Sequence, residues 1–389
     1  MDTEPIYYAS DEKDDVAILK KVCHVSMRRS ATDRRIFHKE CKSLSDGGFE
    51  VTYIVVNQDV TNSWPINVEA VSVAKRSLLY RKRVNDALFK KAMSVHAQIY
   101  HIHEPELLPT ALKLKDYGKR VIYGAHQDTE LFKLSYHWGP KFVRSYFAKQ
   151  AIQKELKIAA QLDGIITETP WLRKKFTAVN SAVVDAADYP RLEDFPNASY
   201  QKSATELLQI GNLDRSKNAK ILVETVGIAH KVLNLLGEVK GKKLRKILTK
   251  IPGWSYVREQ GLQKLANRIP FFQQTALGLL TYRKNAYNQA KLPPELFELL
   301  AAGIPVLLPD FDLWKSHFQG QKIGKFSDTA DTKALSRSLQ MMLDNPAELA
   351  QFSKNAREAF EQCFNWKNES KKYMILYRKI AAKEKYGYN

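Results

Sequence analysis

Short apolar runs separated by longer amphipathic stretches, in two successive series, leave this chain few folds to choose from. From Lys20 to about Tyr189 the runs are Val22–Ser26, Val51–Val56, Ile99–Ile102, Val121–Ala125 and Gly164–Thr167. Runs this short read as buried strands, not buried helices. Amphipathic helices lie between them, for example over Arg34–Ser45 and Val143–Gln161. Strand–helix alternation of this kind gives a parallel sheet with helices on both faces. Binding residues then gather at the carboxyl ends of the strands. A polar, Pro-rich break, Asp185–Ala204, reads as an interdomain linker. A second series follows through Glu206–Ile210, Val232–Leu236, Ala276–Leu280 and Val306–Leu308, with helices around Ala330–Leu343 and Ala347–Cys363. The expectation is an α/β protein of two Rossmann-like, doubly wound domains facing a cleft. The N-terminal domain covers 1–190, the linker 191–204 and the C-terminal domain 205–366. A long basic helix, Lys367–Ala382, closes the chain.

Length and composition agree with that division. A chain of 389 residues can bury two cores, and 44% apolar with 11% aromatic content is globular. No run approaches the 18 or so apolar residues of a transmembrane helix. The start, MDTEPIYYASDEKDDVAILKK, is acidic and lacks the apolar stretch of a signal peptide. Cys23, Cys41 and Cys363 are too scattered for a disulfide framework or a zinc site. Cytoplasm is the expected location.

The formal net charge of +19 calls for an anionic partner: nucleic acid, a membrane face or an anionic ligand. Zinc-finger spacing, an RNP-like strand and a helix-turn-helix pattern are all missing, so no nucleic-acid partner is expected. The charge concentrates in Lys75–Lys91 and Lys240–Lys250, where basic and apolar residues alternate at helical spacing. In Lys133–Lys149 it mixes with Tyr136, Trp138, Phe142, Tyr146 and Phe147. Basic helices with aromatic edges lie on anionic lipid headgroups. Solvated helix faces with their aromatics turned inward give the same pattern. The size of the excess favours peripheral attachment to the inner face of a membrane.

One segment carries chemistry. In Leu292–Asp310 (LPPELFELLAAGIPVLLPD), Pro294 suits a helix start. Leu296, Leu299 and Leu300 fall on one face, and Gly303 ends the helix where a positive φ is needed. Glu298 lies one turn inside a helix whose N-terminus favours anions. A phosphate at the helix start and sugar hydroxyls on the carboxylate make a nucleotide-sugar site. The segment resembles the donor-binding signature of retaining, two-domain (GT-B) glycosyltransferases of the large family 4, which typically reads like (T/N)KLFEYMAAGLPVIASD. Further segments resemble that family in order along the chain. They are Asp33–Glu40 (DRRIFHKE), Tyr100–Pro109 (YHIHEPELLP), Val121–Asp128 (VIYGAHQD), Gly164–Pro170 (GIITETP, against GVITVTP) and Asn365-Trp366. In the family, the last of these precedes a helix that returns to the N-terminal domain, which places residues 367–389 there.

The resemblance implies roles. Gly211-Asn212-Leu213-Asp214-Arg215-Ser216-Lys217 matches a loop that gives a basic residue to the donor diphosphate. Lys217 stands at that place. Stabilising the departing diphosphate is the main catalytic demand of glycosyl transfer. Asn212 replaces a second basic residue, and Arg215 stands close enough to compensate. Pro294, Glu295 and Leu296 open the donor helix, Glu298 takes the ribose hydroxyls, and Asp310 lies in a loop near the donor. His126 matches the histidine that faces the donor sugar across the cleft. Arg28, Asp33, Arg35, His103 and Glu104 fall where acceptors approach.

Two departures touch the donor. Ala290 stands where relatives carry a sugar-binding Glu, and Glu295 stands where they carry a Lys. No cofactor and no metal is expected. His101 and His103 share one face of a strand but lack a third ligand. Asp310-Phe311-Asp312 has a metal-binding spacing yet follows the strand of the donor motif. The expectation is a retaining, metal-independent hexosyltransferase taking a UDP- or GDP-sugar and a glycan or lipid-linked acceptor in bacterial polysaccharide biosynthesis. The alternative is a catalytically silent GT-B protein that binds a partner or glycan.

Overall fold

A computed structural model describes residues 20–60, 66–74, 79–135, 139–196 and 205–382. Two parallel sheets organise them. The first has seven strands: β1 (Lys21–Val25), β2 (Glu50–Val56), β3 (Asn67–Val71), β4 (Ile99–Ile102), β5 (Arg120–Ala125), β6 (Gly164–Thr167) and β7 (Val183–Asp185). Their order is β3-β2-β1-β4-β5-β6-β7. The second has six: β8 (Glu206–Ile210), β9 (Leu233–Leu236), β10 (Val257–Glu259), β11 (Thr275–Leu279), β12 (Val306–Pro309) and β13 (Gly324–Ser327), in the order β10-β9-β8-β11-β12-β13. Each order reverses direction beside its first strand, the switch point where α/β sheets bind ligands.

The inner strands follow the apolar runs within a residue or two. The four strands that the sequence reading missed, β3, β7, β10 and β13, are the four sheet edges. Each covers its sheet on one side only, so it is half-exposed and carries no continuous apolar run. The helix expected over Arg34–Ser45 is a π-helical turn, Ile36–Cys41, that runs into a short α-helix, Lys42–Asp46.

Cores form on both faces of both sheets. Helix Pro294–Ala301 buries Leu296, Leu299 and Leu300 against the second sheet, each worth roughly 1.5–3 kcal/mol. Gly303 ends the helix at φ 66°. The last helix, Trp366–Ala382, leaves the second domain and packs Tyr373, Leu376, Tyr377 and Ile380 beneath the first sheet. The Trp366 indole donates to Ser43 Oγ (2.8 Å), and Ala187 N donates to Glu369 (2.9 Å). The segment expected as a plain polar linker also contributes to packing: Tyr189 and Phe195 are buried in the core of the second domain. Residues 197–204 of that linker, the stretch 75–78, Tyr136 and Trp138 lie outside the described residues. No described helix is long and apolar enough to cross a membrane.

Candidate active site

A cavity of about 530 Å³ opens between the two domains. Loops after β1, β4, β5 and β6 build its N-terminal wall, with Arg28, His103, Glu104, His126 and Glu168. Its other wall is Tyr287, Ala290, Lys291, Leu292 and Pro294, the approach to the helix Pro294–Ala301. The Trp171 indole donates to Ala290 O (2.6 Å) across the two domains.

On the N-terminal wall Glu104 shapes the loop after β1. It accepts from the Ser26 hydroxyl (2.6 Å) and from Met27 N (3.1 Å). Burial pushes its carboxyl up, against the pull of those donors. Arg28 pairs with Glu106 at the rim. Asp33 and Arg35, expected at the acceptor, have other work. The Asp33 carboxylate accepts from Arg35 N (3.0 Å) and Ile36 N (2.9 Å) and so starts the helical turn. Arg35 is 4% exposed behind the wall, bonded to Glu40 (2.7 Å), Glu168 (2.8 Å) and Ala186 O (3.0 Å). His126 stands at the cavity edge with Nδ1 3.4 Å from Glu168. Burial alone would raise the Glu168 carboxyl, but Arg35 and His126 hold it below its ordinary value. The sequence reading assigned no role to Glu168; its signal is a charged residue closing an otherwise apolar strand.

On the donor wall, Gly211 takes φ 84°. A Cβ on Gly237 would lie 2.5 Å from the Gly211 carbonyl, so the two loops touch through glycine. The Asn212 side chain accepts from Glu238 N (2.9 Å) and ties these loops together. Arg215 is exposed. Lys217 is 3% exposed; it donates to Ile210 O (3.0 Å) and lies 3.6 Å from Glu295. Burial pulls the Lys217 ammonium down, opposed by Glu295. Burial pushes the Glu295 carboxyl up, but Lys217 and Lys291 hold it below its usual range. The Tyr282 hydroxyl also donates to Glu295.

Lys291, which the sequence reading passed over, is the basic residue that this wall gives to the cavity lining. Its only sequence signal is its place just before Pro293-Pro294. Its ammonium and that of Lys217 flank the Tyr282 ring at 5.6 and 5.2 Å. Glu298 is 2% exposed, with its carboxylate held by Arg34 from the first domain and Arg268 from the second. Leu296 is fully buried and can meet a ligand only through its backbone. Asp310 is half-exposed at the end of β12 and paired with Lys315.

Behind the N-terminal wall, His24, Glu40, His101 and His103 bring one ligand atom each within 4.8 Å of one another, all buried. The set does not suit a cation. Its one carboxylate already carries the Arg35 guanidinium, and His24 Nδ1 sits 2.9 Å from His103 Nε2, a hydrogen bond between rings.

Comparison with known proteins agrees with this geometry. Residues 221–374 match the family model described as glycosyl transferase-like. Among curated proteins none matches the chain in sequence. Among solved structures, it is similar to sucrose-phosphate synthase from Thermosynechococcus elongatus, with 16% identity and a TM-score of 0.76, covering 93% of this chain and 99% of that one. It is also similar to HepE of Anabaena in complex with UDP and glucose, with 11% identity, a TM-score of 0.72, and 92% and 100% covered. A glycosyltransferase from Rickettsia africae gives 10% identity, a TM-score of 0.69, and 94% and 99% covered. The chain therefore has the GT-B fold, and residues 221–374, which include most of its second domain, match a glycosyl transferase-like family model.

Proposed function

We propose that the chain is a retaining glycosyltransferase of the family 4 type. It moves a hexose from a UDP- or GDP-sugar to a glycan or lipid-linked acceptor in bacterial polysaccharide biosynthesis. The observation that carries this reading is the cavity between the sheets, with the start of helix Pro294–Ala301, Lys291 and Pro294 on one wall and His126 and Glu168 on the other. The donor diphosphate lies against that helix start and Lys291, where a leaving phosphate is stabilised by fixed positive charge, with Lys217 behind them and paired with Glu295. Glu298 takes the ribose hydroxyls, and the nucleotide displaces Arg34 from it. His126 sits beside the sugar, and the acceptor hydroxyl attacks from the same face as the departing diphosphate.

No metal takes part in this scheme. Basic side chains do the work of a cation, and Asp310, of the Asp-x-Asp pair, is already held by Lys315. Attachment to an anionic membrane is supported by the helix Lys141–Ala159, which exposes Phe142 (76%), Tyr146 (60%) and Phe147 (51%) among its lysines. The test is nucleoside-diphosphate release from UDP- and GDP-sugars in the presence of a polyprenyl-diphosphate glycan, with EDTA added and the product anomer read by NMR. The reading expects turnover that EDTA leaves intact and a product of unchanged anomeric configuration. An inverted product contradicts retention, and no turnover with any donor supports the silent, glycan-binding alternative.

A further inference from the structure

A column of histidine rings runs from the cavity into the first domain. His126 Nε2 lies 3.1 Å from His103 Nδ1, and the two rings are stacked at 5.4 Å. His103 Nε2 lies 2.9 Å from His24 Nδ1. His24 Nε2 lies 3.4 Å from the hydroxyl of Tyr377, which belongs to the helix that returns from the second domain. At the cavity end, His126 Nδ1 is buried with no hydrogen bond of good geometry among the described residues, and the atom it faces is Glu168 Oε1 at 3.4 Å. His24, His101 and His103 are completely or almost completely buried, and burial holds all three neutral.

A neutral imidazole carries one N–H, so such a column has only two consistent proton orders. In one, every ring is protonated on Nδ1. Tyr377 then donates to His24, His24 to His103, His103 to His126, and His126 to the Glu168 carboxylate. In the other, every bond reverses and His126 Nδ1 turns a lone pair toward that carboxylate. The cavity end of the network favours the first order. Arg35 fixes Glu168 as a charged acceptor (2.8 Å). At the inner end His101 Nδ1 lies 2.8 Å from Tyr377, while His101 Nε2 is buried without a partner. The Tyr373 hydroxyl, 3.1 Å from that of Tyr377 and 3.2 Å from His101 Nδ1, gives Tyr377 a second acceptor, so this end accommodates either order. Gly124 makes the crowding possible: a Cβ there would stand 2.9 Å from His101 Nε2 and 3.0 Å from His126 Nε2.

We propose that Glu168 is a substrate-binding carboxylate of the cleft and that His126, His103 and His24, all protonated on Nδ1, are its positioning residues. Among the described residues its hydrogen bond from Arg35 and its contact with His126 both fall on Oε1. Glu168 lines the cavity and is a quarter exposed, which leaves Oε2 for a sugar hydroxyl. It faces the wall on which Ala290 offers no acid. The role at the sugar rests on the glycosyltransferase reading, whereas the proton order does not.

Ring-15N histidine NMR of the full chain, without ligand, tests the order. The expected spectrum has His24, His103 and His126 all protonated on Nδ1. In Glu168→Gln the amide can donate as well as accept, so the Nε2–H form grows in all three rings in equal proportion. A wild-type His126 protonated on Nε2, or a change confined to His126 in the variant, overturns the proposal. Tyr377→Phe gives a second reading should that variant misfold. His24 Nε2 then loses its donor and should shift while all three rings stay protonated on Nδ1, and an Nε2–H form in any of them contradicts the order. Turnover is not needed for either result. With UDP-glucose as probe, Glu168→Gln is then expected to lower kcat/KM at least tenfold while Glu168→Asp restores part of it; equal loss in both variants contradicts the carboxylate's role at the sugar.

Discussion

Lys217 and Glu295 largely neutralise each other beside the Tyr282 ring, so the charge that the second domain offers a diphosphate comes from Lys291 and the helix start. A Lys in place of Glu295 would crowd two ammonium groups in a buried site. The chain carries the extra cation four residues earlier instead, where the ammonium reaches the cavity. A charge-assisted hydrogen bond is worth about 1.5–3 kcal/mol. Lys291→Ala is therefore expected to weaken UDP binding by roughly 10- to 100-fold in calorimetry, with the unfolding midpoint of the free protein unchanged. Unaltered affinity contradicts this placement of the diphosphate.

At the scale of elements, the sequence yielded the nine inner strands because each is a short, mostly apolar run buried on both faces, and the donor helix because its stops are chemical: prolines at the start, Gly303 at the end. The edge strands were not legible, since half of each faces solvent or loop. The same limit applies to the site. Local motifs single out Glu298, Lys217 and His126 as candidates, and of the three only His126 lines the cavity. That Arg35 stands behind the cavity wall depends on Glu40, Glu168 and Ala186, the last two more than a hundred residues away in the chain. The histidine column likewise joins β1, β4, the end of β5 and the last helix. Local periodicity placed His101 and His103 on one strand face, but it could not find the rings from other elements that complete the column.

For the whole molecule, the buried histidines set a pH dependence. His24 is held down to about 3 from 6.5, and His101 and His103 also lie well below their ordinary value, all chiefly through burial. Below about pH 6.5 the unfolded chain therefore binds more protons than the folded one at these sites, and stability falls. Glu155, pushed up by burial to about 7 from 4.5, acts in the opposite sense between those values. Glu104 and Glu369, also raised by burial, act with Glu155, while His38 and His317, also lowered by burial, act with the column; five imidazoles outweigh three carboxyls, each contributing up to about 1.4 kcal/mol per pH unit. Urea unfolding should show stability dropping between about pH 6.5 and about pH 5, before most carboxylates titrate. Stability that holds or rises over that interval contradicts neutral burial of the column.

The cavity between the two domains meets the start of helix Pro294–Ala301, and Glu298 lies one turn farther along that helix, in a separate small pocket with Arg34. Ligand that binds only the folded chain raises the melting temperature by mass action. The most direct test is the thermal shift of the wild type and of Glu298→Ala against UDP-, GDP-, ADP- and dTDP-sugars. A shift with UDP- or GDP-sugars that Glu298→Ala abolishes is the expected result, and it names the donor. No shift with any of the four classes, or a shift that the variant retains in full, contradicts a nucleotide-sugar site at this helix.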